Sequence, residues 1–447
     1  NAFDVQTADG TISGTVWGDV NGDGAKDAGE GGLLGWRVYL DANTNGYWDT
    51  GETFDESDAT GAYSITAAPG THVVAQVKQD LWLQTHPEEV VGTGEVTFQQ
   101  CITSATHSGL SEARSVAVSP DSKHVYVGAE GQNRVLVFSR NMSTGDLTFV
   151  EEHTDGADGV DGLHDPCSIE VSPDGGNVYV GGLSDNAVAV FSRNSTTGQL
   201  TFLEKTGSLA SMLGPSQIRV SPDKKHVYVS CYMLGSSGSI TVFTRSQTDG
   251  RLTYLESHTD GVAGVDGLRG CWGMRISPDG KHIYAVGSFD AAIAAFSRNA
   301  TTGALTYITM YTNGTGGITG MDSPYHLVIS PDDSHVYVVC PGTDALLTFS
   351  RNATTGALTF IETLYDGSGG VDGLDGAYNV QVSSTGHHVY VAATNDHGIG
   401  VFARAAADGR LTFVQALTRD DATGLITVRA LQVAPDGNHL PLDGVDG

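Results

Sequence analysis

IEVSPDGGNVYV, Ile169–Val180, reads as two strands joined by a turn. Apolar residues alternate up to Val171, Ser-Pro-Asp-Gly breaks the run, and Val-Tyr-Val resumes it, the pattern of a β-hairpin. The same phrase returns as VAVSPDSKHVYV at 116–127, IRVSPDKKHVYV at 218–229, MRISPDGKHIYA at 274–285, LVISPDDSHVYV at 327–338, VQVSSTGHHVYV at 380–391 and LQVAPDGNHLPL at 431–442. The prolines, or the residues in their place, lie at 120, 173, 222, 278, 331, 384 and 435, so the spacings are 53, 49, 56, 53, 53 and 51 residues.

After each of the first six hairpins come two further strand signals, one resembling NAVAVFSRN and one resembling GQLTFLE, joined by an NxTTG-like turn. Four strands per unit cannot bury both faces alone, and stacking the units around an axis solves this. Seven units predict a seven-bladed β-propeller over residues 95–447. In the first strand of each unit, apolar residues two and four places before the proline form the blade-to-blade core, as in Val116/Val118 and Ile169/Val171. The residue between them varies (Ala117, Glu170, Arg219, Arg275, Val328, Gln381, Gln432) and is expected to face the central channel. EVTFQQ at 95–100 is expected to complete the last blade. The seventh unit shows no third strand. Three explanations stay open: the chain continues past 447, the blade is short, or a neighbour donates a strand, with NAFDVQ at the N-terminus expected to be unpaired.

Residues 1–84 read differently. TISGTVW, WRVYL, AYSITA and HVVAQV are strand signals separated by turns, which predicts a small all-β sandwich, and residues 85–94 form a linker. Two twelve-residue stretches interrupt these strands, DVNGDGAKDAGE at 19–30 and DANTNGYWDTGE at 41–52. Calcium takes six to eight hard oxygens, and loops of this kind supply them from positions 1, 3, 5, 7, 9 and 12 with glycine at the sixth. The first loop offers Asp19, Asn21, Asp23, the Ala25 carbonyl, Asp27 and Glu30; the second offers Asp41, Asn43, Asn45, the Tyr47 carbonyl, Asp49 and Glu52. Two Ca²⁺ sites of structural character are expected, the plainer reading being a pair of acidic turns.

Two resemblances follow. SGTVWGDVNGDGAKDAGEGGLLGWRVYLDANTNGYWDTGE with ATGAYSITAAPGTHVV resembles the SdrD B-like repeats, which implies a calcium-binding sandwich; Asn45 departs from an aspartate. The SPDGKHVYV and VFSRNATTGALTFIE repeats resemble lactonase-like, YVTN-type seven-bladed propellers, which implies the fold more firmly than an activity, since propellers host many functions.

Enzymes of that resemblance place charged residues and histidine in the channel mouth. Here Glu170, Arg219, Arg275 and His326 are the candidates: the arginines would polarise a carbonyl, and Glu170 or His326 would activate water. The alternative is a charge network that only satisfies itself. Asp-Gly-rich loops at 153–166, 258–270 and 364–376 carry Asp161, Asp266 and Asp372, read either as cation or ligand sites or as turns. His124, His226, His282, His335 and His388 recur with the repeat and read as scaffold; Asn141, Asn194, Asn299 and Asn352 begin sequons that the hairpin turn explains.

A net charge of −29 opposes nucleic acid and anionic membrane as partners. It is steepest in the first 90 residues, with 15 Asp and Glu against 3 Lys and Arg. No apolar run is long enough to span a bilayer. Five cysteines, none in a CxxC pair, argue against zinc and read as buried thiols. The leading expectation is an extracellular or cell-surface, calcium-stiffened structural or adhesion protein, with self-assembly by strand exchange as an open variant, a protein or glycan partner and no catalysis. A lactonase-type hydrolase acting in the channel is the alternative.

Overall fold

The computed structural model describes residues 2–5, 10–18, 26, 29–41, 48, 51–67, 70–76, 100, 102, 107–207, 209–232, 237–418, 428–435 and 441–444. The chain divides into two compact units, Asn1–Gly92 and Thr93–Gly447.

In the first unit Ala2–Val5, Gly70–Gln76, Arg37–Leu40 and Phe54–Glu56 form one sheet in that order, and Gly10–Thr15 pairs with Ala62–Ala67. Ile12, Val38, Leu40, Ile65 and Ala67 are its buried core. The N-terminal segment, expected to be unpaired, lies antiparallel to Gly70–Gln76, with Ala2 opposite Val73. Strand exchange through that segment therefore loses one of its premises, because one edge of the segment is already paired within the unit.

The second unit is built of meanders. Six four-stranded antiparallel sheets follow one another along the chain, and a two-stranded sheet of Val428–Leu431 and Leu442–Gly444 follows them. Each sheet begins with the strand before the Ser-Pro-Asp turn, such as Pro166–Val171, and pairs with the Val-Tyr-Val strand, such as Asn177–Gly182. These first strands are neighbours in sequence order, and Val428–Leu431 touches both Ala377–Val382 and Ala113–Val118, so the ring closes. Seven inner strands thus surround one axis. The expected closing strand at 95–99, the linker and the 436–440 turn lie outside the described residues.

The repeat motif stitches neighbouring blades. The arginine ending the third strand of one blade reaches back to the tyrosine, histidine and aspartate of the blade before. Arg351 Nε donates to the Tyr284 hydroxyl at 3.0 Å, and its Nη2 meets Asp279 and His282 Nδ1 at 3.3 and 2.9 Å. The Tyr284 hydroxyl in turn donates to the Gly356 carbonyl at 2.8 Å. Gly356 has φ +73°, and a Cβ there would lie 2.3 Å from the His282 ring, so the turn needs glycine. Equivalent bonds link Arg193 to Tyr126, Arg245 to Tyr179, Arg298 to Tyr228 and Arg404 to Tyr337. The expected scaffold role of His124, His226, His282 and His335 is this one: buried, each faces a guanidinium that disfavours its protonated form.

Candidate active site

The channel holds a cavity of about 260 Å³ lined by first strands of every blade. Two rows of side chains furnish it. The deeper row is the variable position between the two core residues: Ala117, Glu170, Arg219, Arg275, Gln381 and Gln432 all line the cavity. Val328, expected in this row, packs instead in the core cluster with Tyr337 and Val380, as an apolar residue gains by leaving water.

The upper row was not read from the sequence. It comprises Arg114, Cys167, Ser216, Trp272, Tyr325, Tyr378 and Arg429, each two residues before the first core position. In most blades a β-bulge sits here: pairing skips from Ala113 to Ser115, from Pro166 to Ser168, from Pro215 to Gln217, from Ala377 to Asn379 and from Val428 to Ala430. A bulged residue is released from the pleat and turns its side chain toward the axis. Three consecutive blades contribute aromatic rings, with centroids 5.1 Å apart for Trp272 and Tyr325 and 3.9 Å for Tyr325 and Tyr378, and the last two hydroxyls share a hydrogen bond. The Arg114 guanidinium lies 5.5 Å from the Trp272 ring centroid and pairs with Glu130 at 2.8 Å.

In the deeper row Arg219 Nη1 donates to Glu170 Oε2 at 3.0 Å and to the Ile218 carbonyl at 2.7 Å, and the Val220 N–H approaches Glu170 Oε1 at 3.4 Å. The pair keeps a narrow opening to the channel, with side chains 16% and 23% exposed for Arg219 and Glu170. Removal from bulk water raises Glu170 above its ordinary value near 4.5; Arg219 and the Val220 N–H oppose that without cancelling it. Arg275 bonds the Met274 carbonyl at 3.1 Å and lines the same cavity. His326 is 4% exposed, with Nε2 3.0 Å from Gln217 Nε2 and Nδ1 3.4 Å from the Val380 N–H. Burial, then Arg219, push it down to about 3, so it stays a neutral imidazole. The structure therefore brings Glu170, Arg219, Arg275 and His326 around one cavity and makes Glu170 the better base.

Residues 91–213, 205–319 and 318–442 match the family described as lactonase, 7-bladed beta-propeller. The chain belongs to that family. The 6-phosphogluconolactonase of Bacillus subtilis is 28% identical over 151 residues, 32% of this chain and 40% of that one. That of Klebsiella pneumoniae is 22% identical over 253 residues, 48% and 74% of the two chains. Among solved structures, the periplasmic gluconolactonase of Pseudomonas aeruginosa superposes with a TM-score of 0.55 at 17% identity, covering 93% of this chain and 100% of that one, a likeness of fold. These matches overturn the leading expectation of a non-catalytic structural or adhesion protein and favour its alternative. The matched residues lie in the propeller, which carries the family.

Elsewhere in this lactonase-family protein, Asp161, Asp266 and Asp372 each join two further aspartates. Cys231, Cys271 and Cys340 are buried free thiols and Cys167 is partly buried in the channel wall; Cys101 lies outside the described residues. Of the calcium-loop residues only Glu30, Asp41 and Glu52 are described; Asp19, Asn21, Asp23, Ala25, Asp27, Asn43, Asn45, Tyr47 and Asp49 lie outside. No described helix is long and apolar enough to cross a membrane.

Proposed function

We propose that the protein is a lactonase-type hydrolase that opens a cyclic ester in the propeller channel. The observation that carries this reading is the Glu170–Arg219 pair at the cavity wall with Arg275 on the same floor. Arg219 and Arg275 hold the carbonyl oxygen and the negative charge it develops. Glu170 takes a proton from water as the water oxygen bonds the carbonyl carbon. When the ring C–O bond breaks, the departing oxygen recovers that proton from Glu170, and the product is a hydroxy acid. His326 and Gln217 act by hydrogen bonding as neutral groups that position substrate.

The test is pH-stat hydrolysis of a panel of five- and six-membered sugar and aliphatic lactones. Glu170→Gln should lower kcat by on the order of 10²–10⁴-fold while leaving the melting transition in place. Absence of turnover on every lactone, or a Glu170→Gln variant as fast as the parent, overturns the reading.

For the N-terminal unit we infer an SdrD B-like sandwich holding Ca²⁺ in the 19–30 and 41–52 loops, supported by the oxygen-donor spacing and by the two small sheets described above. Such sites suit a calcium-rich, extracellular setting.

A further inference from the structure

Four connections between blades share one design and differ in its chemistry. Each runs from an outer strand to the next inner strand, and each lays a glycine against a residue of the following blade's outer strand. Those contacts are Gly162 on Lys205, Gly267 on Met310, Gly320 on Thr363 and Gly373 on Ala416. Three of these connections collect carboxylates. Asp155, Asp161 and Asp185 come together in the first, Asp260, Asp266 and Asp290 in the second, and Asp366, Asp372 and Asp396 in the fourth, with one oxygen from each within 4.8 Å of the others. The first and third aspartate of every trio also accept from loop amides, as in Leu268 N to Asp260 Oδ1 at 3.0 Å and Arg269 N to Asp290 Oδ2 at 2.9 Å.

The residue beneath the loop explains how each charge is balanced. In the first trio a cation is in place: Lys205 Nζ lies 2.7 Å from Asp161 Oδ1 and 3.4 Å from Asp185 Oδ1. In the third connection all three aspartates are replaced together, by Asn313, Thr319 and Thr343. There the loop closes by neutral bonds, Thr343 Oγ1 to the Gly320 carbonyl at 2.6 Å and Thr363 Oγ1 to the Thr319 carbonyl at 2.7 Å. The second and fourth keep all three carboxylates but have Met310 and Ala416 where the first has lysine.

We propose that the Asp260–Asp266–Asp290 and Asp366–Asp372–Asp396 trios each bind a divalent cation, Ca²⁺ by preference, in the place that the Lys205 ammonium fills in the first blade pair. The independent pointer to a cation is that ammonium, seated on the equivalent oxygens of the same fold. Carboxylate oxygens in a flexible loop suit the many-ligand shell of Ca²⁺ better than the tight octahedron of Mg²⁺. The ion would tie the connection before Trp272, and that before Tyr378, to the blade that follows, fixing the rim of the channel.

The experiment counts Ca²⁺ per full-length chain by equilibrium dialysis and elemental analysis, with Mg²⁺ in a parallel arm. The double variant Met310→Lys/Ala416→Lys supplies each trio with its own ammonium; it should bind two fewer Ca²⁺ than the parent and melt higher than the parent in chelator. Lys205→Met vacates the first trio and should bind one more. Because neither variant touches the 19–30 and 41–52 loops, calcium held there cancels in the difference. A count unchanged in both variants overturns the proposal, as does saturation by Mg²⁺ with no Ca²⁺ uptake at the variable sites.

Discussion

Glu170 sets the expected pH dependence. As a base it must be ionised, and its burial raises the pH at which it gains a proton. Hydrolysis should therefore fall as pH drops through a point above 4.5, seen as an acid limb in kcat/KM. His326, held near 3, contributes no limb near neutrality. His326→Gln should accordingly shift KM more than it shifts the pH profile; a limb that disappears in that variant would assign the base to histidine instead. Glu170, Arg219 and Arg275 were legible in the sequence because the deeper row alternates regularly with core residues. Arg114, Trp272, Tyr325 and Tyr378 were not, because a strict two-residue period assigns that position to the core face, and the irregular pairing there turns it to the channel instead. The remaining signal was that this position varies from arginine to tyrosine while the residue before it stays small or apolar.

At the scale of the element, the blade hairpin and its staple decide stability. Tyr284→Phe removes the hydroxyl that serves both Arg351 Nε and the Gly356 carbonyl, leaving two buried polar groups short of a partner. It should cost about 1–3 kcal/mol in denaturant unfolding, and Tyr228→Phe should match it. Asp279 belongs to the same staple. Burial works to raise its pKa, but the Ser277 hydroxyl, the Lys281 amide and Arg351 outweigh it and hold it at about 2, below the ordinary 3.8. Asp121, Asp174, Asp223 and Asp332 are lowered as well. A carboxylate depressed by folding stabilises the native state above its unfolded pKa and ceases to do so as protons bind. Resistance to urea should hold down to about pH 4 and fall steeply toward pH 2. The hairpins were plain in the sequence because their turns and alternation are local. The staple was not, since Arg351 and Tyr284 meet across 67 residues and only the closed ring juxtaposes them.

For the whole molecule, seven periods were enough to foresee a ring, because a packing motif written in every unit is reinforced by repetition. Function was harder to foresee for the opposite reason: the chemistry sits where the units differ, and a difference at one residue has no period. Closure itself is testable. Val428–Leu431 stands between the inner strands at both ends of the six complete blades, and Leu431 and Val428 are buried there. Removing residues 428–447 should cost more than the roughly 2–5 kcal/mol of one deleted core leucine and give a dye-binding, less cooperative transition. The arginine–tyrosine staples occur at the five junctions between the six full blades, and in the last unit Pro441 occupies the tyrosine's place. The last sheet of the ring has two described strands where each of the others has four. Amide exchange should begin beside Arg429 and Gln432 and spread outward in both directions, making that wall the side through which the channel breathes.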